Sequence, residues 1–258
     1  MEYLVIGSIA FFTSILTFFS GFGVGTILTP AFVLFFPIDL AVAMTAIVHF
    51  LNNVFKFGLT YKDIDKSVLL KFGATAIPLA FVGAWLLMNF SNNNQILYEF
   101  SISNTEFTIR LVELVVGLMM LVFAVVELIP TQKRTLLKNN MLYLGGAISV
   151  FFGGLSGHQG ALRTIFLLRS GLTKEAFIAT GIAIACIVDV SRLSIYLSKL
   201  EKVSLIENLG IIISTTLLAF AGAYMGKKLL QKITITFIQY LVAILIILIS
   251  ILLILGII

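Results

Sequence analysis

Eight apolar runs follow one another along the chain, separated by segments richer in glycine or in polar residues. They cover residues 1–19, 40–59, 72–90, 111–129, 141–152, 176–197, 209–225 and 237–258. Most of these runs approach the roughly 20 residues that an α-helix needs to cross the hydrocarbon layer of a bilayer. A backbone exposed to lipid must satisfy its own hydrogen bonds, so only helices and closed barrels cross membranes. Because the runs do not alternate as barrel strands do, they predict an all-α polytopic membrane protein with about eight transmembrane helices.

The composition excludes a soluble enzyme. Of the 258 residues, 60% are hydrophobic and only 11% are charged, which is too few to cover the surface of a soluble domain of this length. The single cysteine, Cys186, excludes an internal disulfide, and the two histidines lie far apart in sequence, so we predict neither a metal site nor a cofactor. The net charge of +5 reflects loop cations that set the orientation in the membrane, and it requires no nucleic-acid partner.

The first apolar run is expected to be a retained transmembrane helix. It carries Glu2 and no lysine or arginine, and the first cation of the chain is Lys56, so the positively charged head of a signal peptide is missing. Residues 3–20 are therefore expected to belong to the membrane domain and not to a cleaved signal.

Lysine and arginine mark the loops that face the cytoplasm. Segments 61–71, 131–140 and 226–233 hold three such residues each, so we place them inside the cell. Segment 91–105 holds none and is placed outside, where its polar residues indicate a loop. The chain is thus expected to be a multi-pass protein of the plasma membrane.

The sequence repeats itself at an offset of 135 residues. The matching pairs are Gly25 with Gly160, Thr29 with Thr164, Ala41 with Ala176 and Thr45 with Thr180, followed after a short insertion by Gly83-Ala84-Trp85 with Gly222-Ala223-Tyr224. We divide the single membrane domain accordingly into two repeats, residues 1–130 and 131–258. The loop at 61–71 is predicted inside, whereas its counterpart around Lys199 is predicted outside. The two repeats are therefore expected to have inverted topology.

Two segments, 26–36 and 161–168, are too short to cross a membrane comfortably on their own. Each follows a glycine-rich stretch, so we interpret each as a half-helix paired with the helix before it across a glycine-rich break. Inverted repeats with interrupted helices are the layout of many secondary transporters, which bind their substrate near the midplane where the breaks meet. The pattern therefore predicts a transporter.

The two breaks carry related motifs. The first copy reads Gly21-Phe22-Gly23-Val24-Gly25, with Pro30 and Pro37 after it and then Ala41-Val42-Ala43-Met44-Thr45; the second has Gly154, Gly157 and Gly160, then Ala176 and Ala179-Thr180. Over essentially the whole chain this pattern resembles the sulfite exporter TauE/SafE family of membrane proteins. The second copy differs by having Ile165 in place of Pro30 and by carrying His158, Gln159 and Arg163. The resemblance implies export or uptake of small sulfur-containing or carboxylate anions, driven by an ion gradient.

The glycine breaks indicate how an anion is bound. A break exposes backbone N–H groups at the start of the following half-helix, where the helix dipole places about half a positive charge. Such a terminus binds oxyanions. The residues that we expect to contact the substrate at the breaks are Gly23, Gly25, Gly157, His158, Gln159 and Gly160. Close helix packing is the alternative for Gly21 and Gly25, and it is the preferred interpretation of Gly222 and Gly226, which have the same G-x-x-x-G spacing.

Charged side chains inside the apolar part of the chain are candidates for function, because a charge at the bilayer centre costs about 2.5–3.5 kcal/mol on insertion scales. Arg163 lies three residues beyond Gly160, and its guanidinium offers paired donors to a sulfonate or carboxylate. We predict that Arg163 contacts the substrate. A snorkelling or structural arginine is the alternative.

The run 40–59 carries a polar face formed by His49, by Asn52 or Asn53, and by Lys56, at helical spacings of three, four and seven residues. We assign Asn53 to substrate binding and His49 and Lys56 to ion coupling, since a histidine can exchange a proton near neutral pH. The alternatives are a neutral histidine bonded to one helix neighbour and a lysine that snorkels to the cytoplasmic interface.

In the second repeat, Asp189 and Arg192 lie three residues apart on one helix and can pair. Asp189 is the predicted proton or cation acceptor and Arg192 a second substrate contact, with a self-contained ion pair near the outer interface as the alternative. The repeat-related Thr45 and Thr180 are predicted to offer hydroxyls to the anion, unless each bonds its own helix backbone.

Apart from the i, i+3 pair of Arg110 with Glu113, which we treat as structural, the predicted interior carries three cations, Lys56, Arg163 and Arg192, against one carboxylate, Asp189. This positive excess favours a visiting anion. We therefore predict a secondary active transporter, working as an exporter by alternating access, for small anions such as sulfite, organosulfonates or related carboxylates. Its partners are the lipid bilayer, the anion and a coupling proton or cation. A passive anion channel or, with less support, an intramembrane enzyme is the alternative, and homodimerisation is left open.

Overall fold

The computed structural model describes residues 1–20, 23–93, 95–102, 105–128, 139–199, 202–229 and 235–257. The helices in these ranges are α1 (Glu2–Ser20), α2 (Gly25–Val33), α3 (Ile38–Thr60), α4 (Lys66–Asn93), α5 (Leu111–Leu128), α6 (Asn139–Ser156), α7 (Gly160–Leu168), α8 (Lys174–Lys199), α9 (Lys202–Glu207), α10 (Leu209–Leu229) and α11 (Ile235–Ile254). A 3-10 turn, Tyr61–Asp63, joins α3 to α4. Strands β1 (Ile96–Ile102) and β2 (Thr105–Arg110) lie between α4 and α5.

Each apolar run lies largely within a helix of the described ranges, so the prediction of a mostly helical, polytopic membrane protein is confirmed. Four helices in the described ranges are long and apolar enough to cross a membrane, namely Ile38–Asp63, Lys66–Asn93, Lys174–Lys199 and Leu209–Lys228. Four shorter apolar helices accompany them: Glu2–Phe18, Leu111–Val126, Met141–Ser156 and Ala243–Ile254. Most of the predicted cytoplasmic loop 131–140 and part of 226–233 lie outside the described residues, as does Gly21 of the first break.

The two short segments form α2 and α7. Each is nine residues long, which is about 14 Å at the rise of an α-helix and far less than a bilayer core. α2 begins at Gly25 and α7 at Gly160, each directly after its glycine-rich break, and the two helices keep the same sequence offset at both ends. The bounds predicted from the sequence, 26–36 and 161–168, therefore agree with the observed bounds of α2 and α7 to within three residues.

The segment at 91–105 differs from the predicted loop, and the chain is therefore not purely α-helical. Strands β1 and β2 pair antiparallel, with Phe100 opposite Phe107 and their ring centroids 5.2 Å apart. Tyr98, Phe100 and Ile102 alternate with Glu99 and Ser101, and this period of two is the pattern of a strand. The asparagines just before the strands favour a loop, but they end where the alternating pattern begins.

The long helices pack in pairs that each join the first half of the chain to the second. α1 packs along α10, α6 along α4, α3 against α8 and α5 against α11. Glycines of α10 bring the first of these pairs close together. A Cβ on Gly226 would lie 2.8 Å from the carbonyl oxygen of Ile15, and one on Gly222 would overlap the carbonyl of Phe11. The packing interpretation of Gly222 and Gly226 is therefore confirmed.

Candidate functional site

A buried cluster of ionic side chains joins α3 to α8. The carboxylate oxygen Oδ1 of Asp189 accepts a hydrogen bond from Nε of Arg192 at 2.9 Å and lies 2.7 Å from Nη2 of the same guanidinium. The other oxygen, Oδ2, lies 2.7 Å from Nδ1 of His49 on α3. Asp189 and Arg192 are both 0% exposed. We call His49, Asp189 and Arg192 the central triad.

The spacing of these residues along their helices explains the cluster. Asp189 and Arg192 pair at i, i+3 as predicted, but the pair is not self-contained, because Asp189 also binds His49 from the other half of the chain. One turn below His49, the amide nitrogen of Asn53 lies 3.1 Å from Nδ1 of His49 and 3.4 Å from Oδ2 of Asp189. The polar face of α3 therefore points into the protein, where it meets α8.

Both glycine-rich breaks reach the central triad. A Cβ on Gly23 would lie 2.6 Å from Nε2 of His49, so a side chain there would collide with the imidazole. A Cβ on Gly25 would lie 3.3 Å from the carbonyl oxygen of Gly157, where the two breaks touch. A Cβ on Gly157 would lie 3.6 Å from Nη1 of Arg192. Because these positions lack side chains, two stretches of backbone and the triad meet at one point.

α8 also binds the C-terminal end of α6, the helix before the second break. The last carbonyl groups of a helix have no partner within the helix itself. Nη1 of Arg192 donates to the carbonyl oxygen of Gly153 at 3.4 Å, and the hydroxyl of Tyr196 donates to that of Gly154. Tyr196 is absent from the predicted site residues, although it lies one turn after Arg192 on the face that carries Asp189.

A small cavity lies beside the central triad, between α1, α3, α7 and α8. Its polar lining comes from Thr17, Asn53, Lys56, Arg163 and Thr164, and apolar side chains of α7 and α8 form much of the rest. Its volume is about 20 Å³, which is the space of about one water molecule. The cavity is therefore narrow, and a guest much larger than water requires its walls to move.

The two cations that line this cavity are buried. Lys56 is 3% exposed and Arg163 is 4% exposed, which is incompatible with side chains that snorkel to a membrane surface. Nζ of Lys56 lies 5.6 Å from the centre of the Phe18 ring. In the orientation in which the amide oxygen of Asn52 faces donors and its nitrogen faces acceptors, this oxygen accepts a hydrogen bond from Nζ of Lys56 at 3.3 Å. The snorkelling alternatives for Lys56 and Arg163 are therefore wrong.

The other predicted contacts lie around the second break and on α8. Nδ1 of His158 lies 2.7 Å from the carbonyl oxygen of Ser156, and its ring stacks on that of Phe123 at 6.4 Å between centroids. Gln159 is buried directly before Gly160, the first residue of α7. These residues shape the second break, in which Gly157 approaches Arg192 of the triad.

The two repeat-related threonines have different surroundings. Thr45 is buried with its methyl group 3.6 Å from the position of a Cβ on Gly25, so it lies at the first break. The hydroxyl of Thr180 accepts a hydrogen bond at 2.9 Å from the backbone N–H of Asp65, which lies in the connection between α3 and α4. Thr45 is therefore next to the candidate site, whereas Thr180 fastens a connection to α8.

Replacing Gly157 with alanine is expected to abolish most transport while lowering stability only modestly. Gly157 has a φ of +80°, where an alanine costs about 1–2 kcal/mol, and the new methyl would lie 2.8 Å from the hydroxyl of Thr29. Gly171→Ala is the matched control, because Gly171 also has a φ of +80° but is exposed in the turn after α7. Thermal stability and anion flux of both variants provide the measurement. Equal transport by the two variants would argue against a substrate path at Gly157.

The fold and the site define a polytopic membrane protein in which two interrupted helices converge on a buried ionic cluster. The chain belongs to the sulfite exporter TauE/SafE family, whose model matches residues 6–253. Among curated proteins and solved structures, none matches the chain. Family membership implies an integral membrane protein that transports sulfite or related anions.

Proposed function

We propose that the protein is a secondary active exporter of small anions such as sulfite, organosulfonates or related carboxylates, and that the anion binds where the two glycine-rich breaks meet the central triad. The observation that carries this proposal is the convergence of Gly23, Gly25 and Gly157 on the side chains of His49 and Arg192. Backbone without side chains beside a buried guanidinium allows an oxyanion to approach a positive charge and its paired donors closely.

The charge of the interior supports an anionic substrate. Among the side chains that the structure describes as buried, three are cationic, Lys56, Arg163 and Arg192, and one is a carboxylate, Asp189. The net charge of this set is +2 when His49 is neutral. Charged side chains in the interior of a membrane protein are rare and usually serve a function. An anion that enters the site balances part of this charge, which favours binding of the substrate there.

Alternating access by two inverted repeats, 1–130 and 131–258, fits the arrangement of the helices. By their order in the two halves, α1 corresponds to α6, α2 to α7 and α4 to α10. The packing of α1 along α10 therefore corresponds to the packing of α6 along α4. The His49–Asp189 contact is a direct ionic link between α3 and α8. A relative movement of the halves that breaks this link would open the small cavity to one side of the membrane.

We assign ion coupling to His49 and Asp189. Their atoms lie 2.7 Å apart, so a proton can be exchanged between them and a change in protonation alters the link between the halves. The sequence predicts ion coupling for Lys56 too, and because Lys56 lines the cavity we propose that it also contacts the anion. We propose that segments 61–71, 131–140 and 226–233 lie on the cytoplasmic side of the plasma membrane and that segment 91–105 lies outside. Homodimerisation stays a prediction.

Flux of labelled anions into proteoliposomes tests the proposal. We expect saturable, gradient-driven transport of sulfite, sulfoacetate or a simple carboxylate, with at least tenfold less flux in Arg163→Ala, because Arg163 lines the cavity beside the triad. Arg169→Ala is the matched control, since Arg169 caps the C-terminal end of the same helix outside the cavity. Counterflow distinguishes a carrier from a passive channel. If no anion crosses under any gradient while the protein remains folded, the transporter proposal is wrong.

A further inference from the structure

The hairpin formed by β1 and β2 has a row of aromatic rings on one face. Directly opposite residues of an antiparallel pair share a face, so Phe100 with Phe107 and Tyr98 with Ile109 lie on the same side of the hairpin. The ring centroids of Tyr98 and Phe100 are 6.1 Å apart, and those of Phe100 and Phe107 are 5.2 Å apart, so the three rings form one stack. We call these four residues the aromatic face.

The other face of the hairpin is polar and acidic. Glu99 and Ser101 alternate with the aromatic residues of β1, and Glu106 lies opposite Ser101 on β2. All three side chains are exposed, and we call them the acidic face. The aromatic face has no charge, yet it is open as well, since Tyr98 is 63% exposed. A segment with one apolar and one charged face suits a boundary between lipid and water.

The hairpin begins at the level of the membrane helices. No linker separates β2 from α5, and the N–H of Leu111, the first residue of α5, donates to the carbonyl oxygen of Gln95 at 2.9 Å. On β2, the carbonyl of Thr108 lies so close to Gly256 that a Cβ there would overlap it. Apart from this glycine, residues 251–257 are all aliphatic. The base of the hairpin therefore lies beside a helix end that is itself suited to lipid.

We propose that the aromatic face packs on phospholipid at the membrane interface next to the ends of α4 and α5, with the acidic face in water. Aromatic side chains, tyrosine above all, are enriched at this level because they combine an apolar ring with a polar edge. The reverse orientation would remove the carboxylates of Glu99 and Glu106 from water. The aromatic face thus continues the lipid-facing surface of the helices and fixes the depth of α4 and α5, whatever the protein transports.

The fluorescence of a single tryptophan tests this contact. The chain has one tryptophan, Trp85, so each probe is introduced into the Trp85→Phe variant of the full chain. Tyr98→Trp places the probe on the aromatic face, and Ser101→Trp is the matched control on the acidic face of the same strand. Both positions are exposed, so neither substitution disturbs the core. The variants are placed, one copy per particle, in nanodiscs of phosphatidylcholine with or without bromine near the top of one acyl chain.

We expect brominated lipid to lower the fluorescence of Tyr98→Trp by about twofold, because an interfacial apolar face reaches the boundary of headgroups and acyl chains. Ser101→Trp should respond little to bromine and should be quenched by iodide in the water. Equal quenching by bromine at both positions overturns the proposal, and so does a Tyr98→Trp that bromine leaves unchanged. In the latter case, protection from iodide would mean that protein covers the aromatic face. Phe107→Trp, with Glu106→Trp as its control, repeats the comparison on β2 if the first pair does not fold.

Discussion

Asp189→Asn is expected to abolish transport and to lower the free energy of unfolding by about 3 kcal/mol. The substitution preserves the shape of the side chain but removes the only carboxylate among the buried side chains that the structure describes. Arg192, which is 0% exposed, would then keep its charge in the protein interior without the group that balances it. His49 would lose its ionic partner on α8, so the link between the two halves would weaken as well.

A second substitution separates charge balance from the function of the site. The double variant Asp189→Asn/Arg192→Gln removes both members of the pair and should recover most of the lost stability, because no unbalanced arginine remains. It should stay inactive, since Arg192 also borders Gly157 and binds the carbonyl of Gly153. Glu175→Gln, at the exposed start of α8, is the control. Thermal unfolding and flux are measured for all variants. A stable single variant with normal flux contradicts the assigned role of Asp189.

The parts of the structure that the sequence predicts are those that depend on neighbours along the chain. Apolar length identified the helices, and the offset of 135 residues located α2 and α7. Helical spacing predicted the pair of Asp189 with Arg192 and the common face of His49 and Asn53. In each case the interacting groups lie within one or two turns of one helix, so their distances follow from helix geometry alone.

The parts that the sequence leaves undetermined depend on how helices cross. His49 and Asp189 are 140 residues apart, and their contact exists because α3 packs against α8. Lys56 is buried beside residues of three other helices, α1, α7 and α8, which line the same cavity. Tyr196 and Thr164 resemble ordinary helix residues until their neighbours are known. The sequence therefore indicates which residues belong to the interior, but it does not reveal that Asp189 unites His49 and Arg192 in one cluster.

Gly83→Ala is expected to destabilise the protein by about 3 kcal/mol, which is the upper part of the usual range for overpacking. Gly83 lies on α4 at its contact with α6. An added Cβ would overlap the carbonyl oxygen of Phe151 and would lie 3.0 Å from the backbone nitrogen of Leu155. These neighbours are backbone atoms, which cannot rotate aside as a side chain does. The two helices would have to separate along this contact, and the carbonyl of Gly154 that Tyr196 binds would move with them.

Gly73→Ala provides the control for Gly83→Ala on the same helix. Gly73 is also buried on α4, but a Cβ there would meet no atom within 4 Å, so alanine should leave stability unchanged or raise it by up to about 1 kcal/mol through better helix propensity. Gly222→Ala should resemble Gly83→Ala, because its Cβ would overlap the carbonyl of Phe11 on α1. Thermal unfolding in detergent ranks the three variants. Equal stability of Gly83→Ala and Gly73→Ala would mean that α4 and α6 do not approach through Gly83, and the position of the second break that rests on that contact would have to be revised.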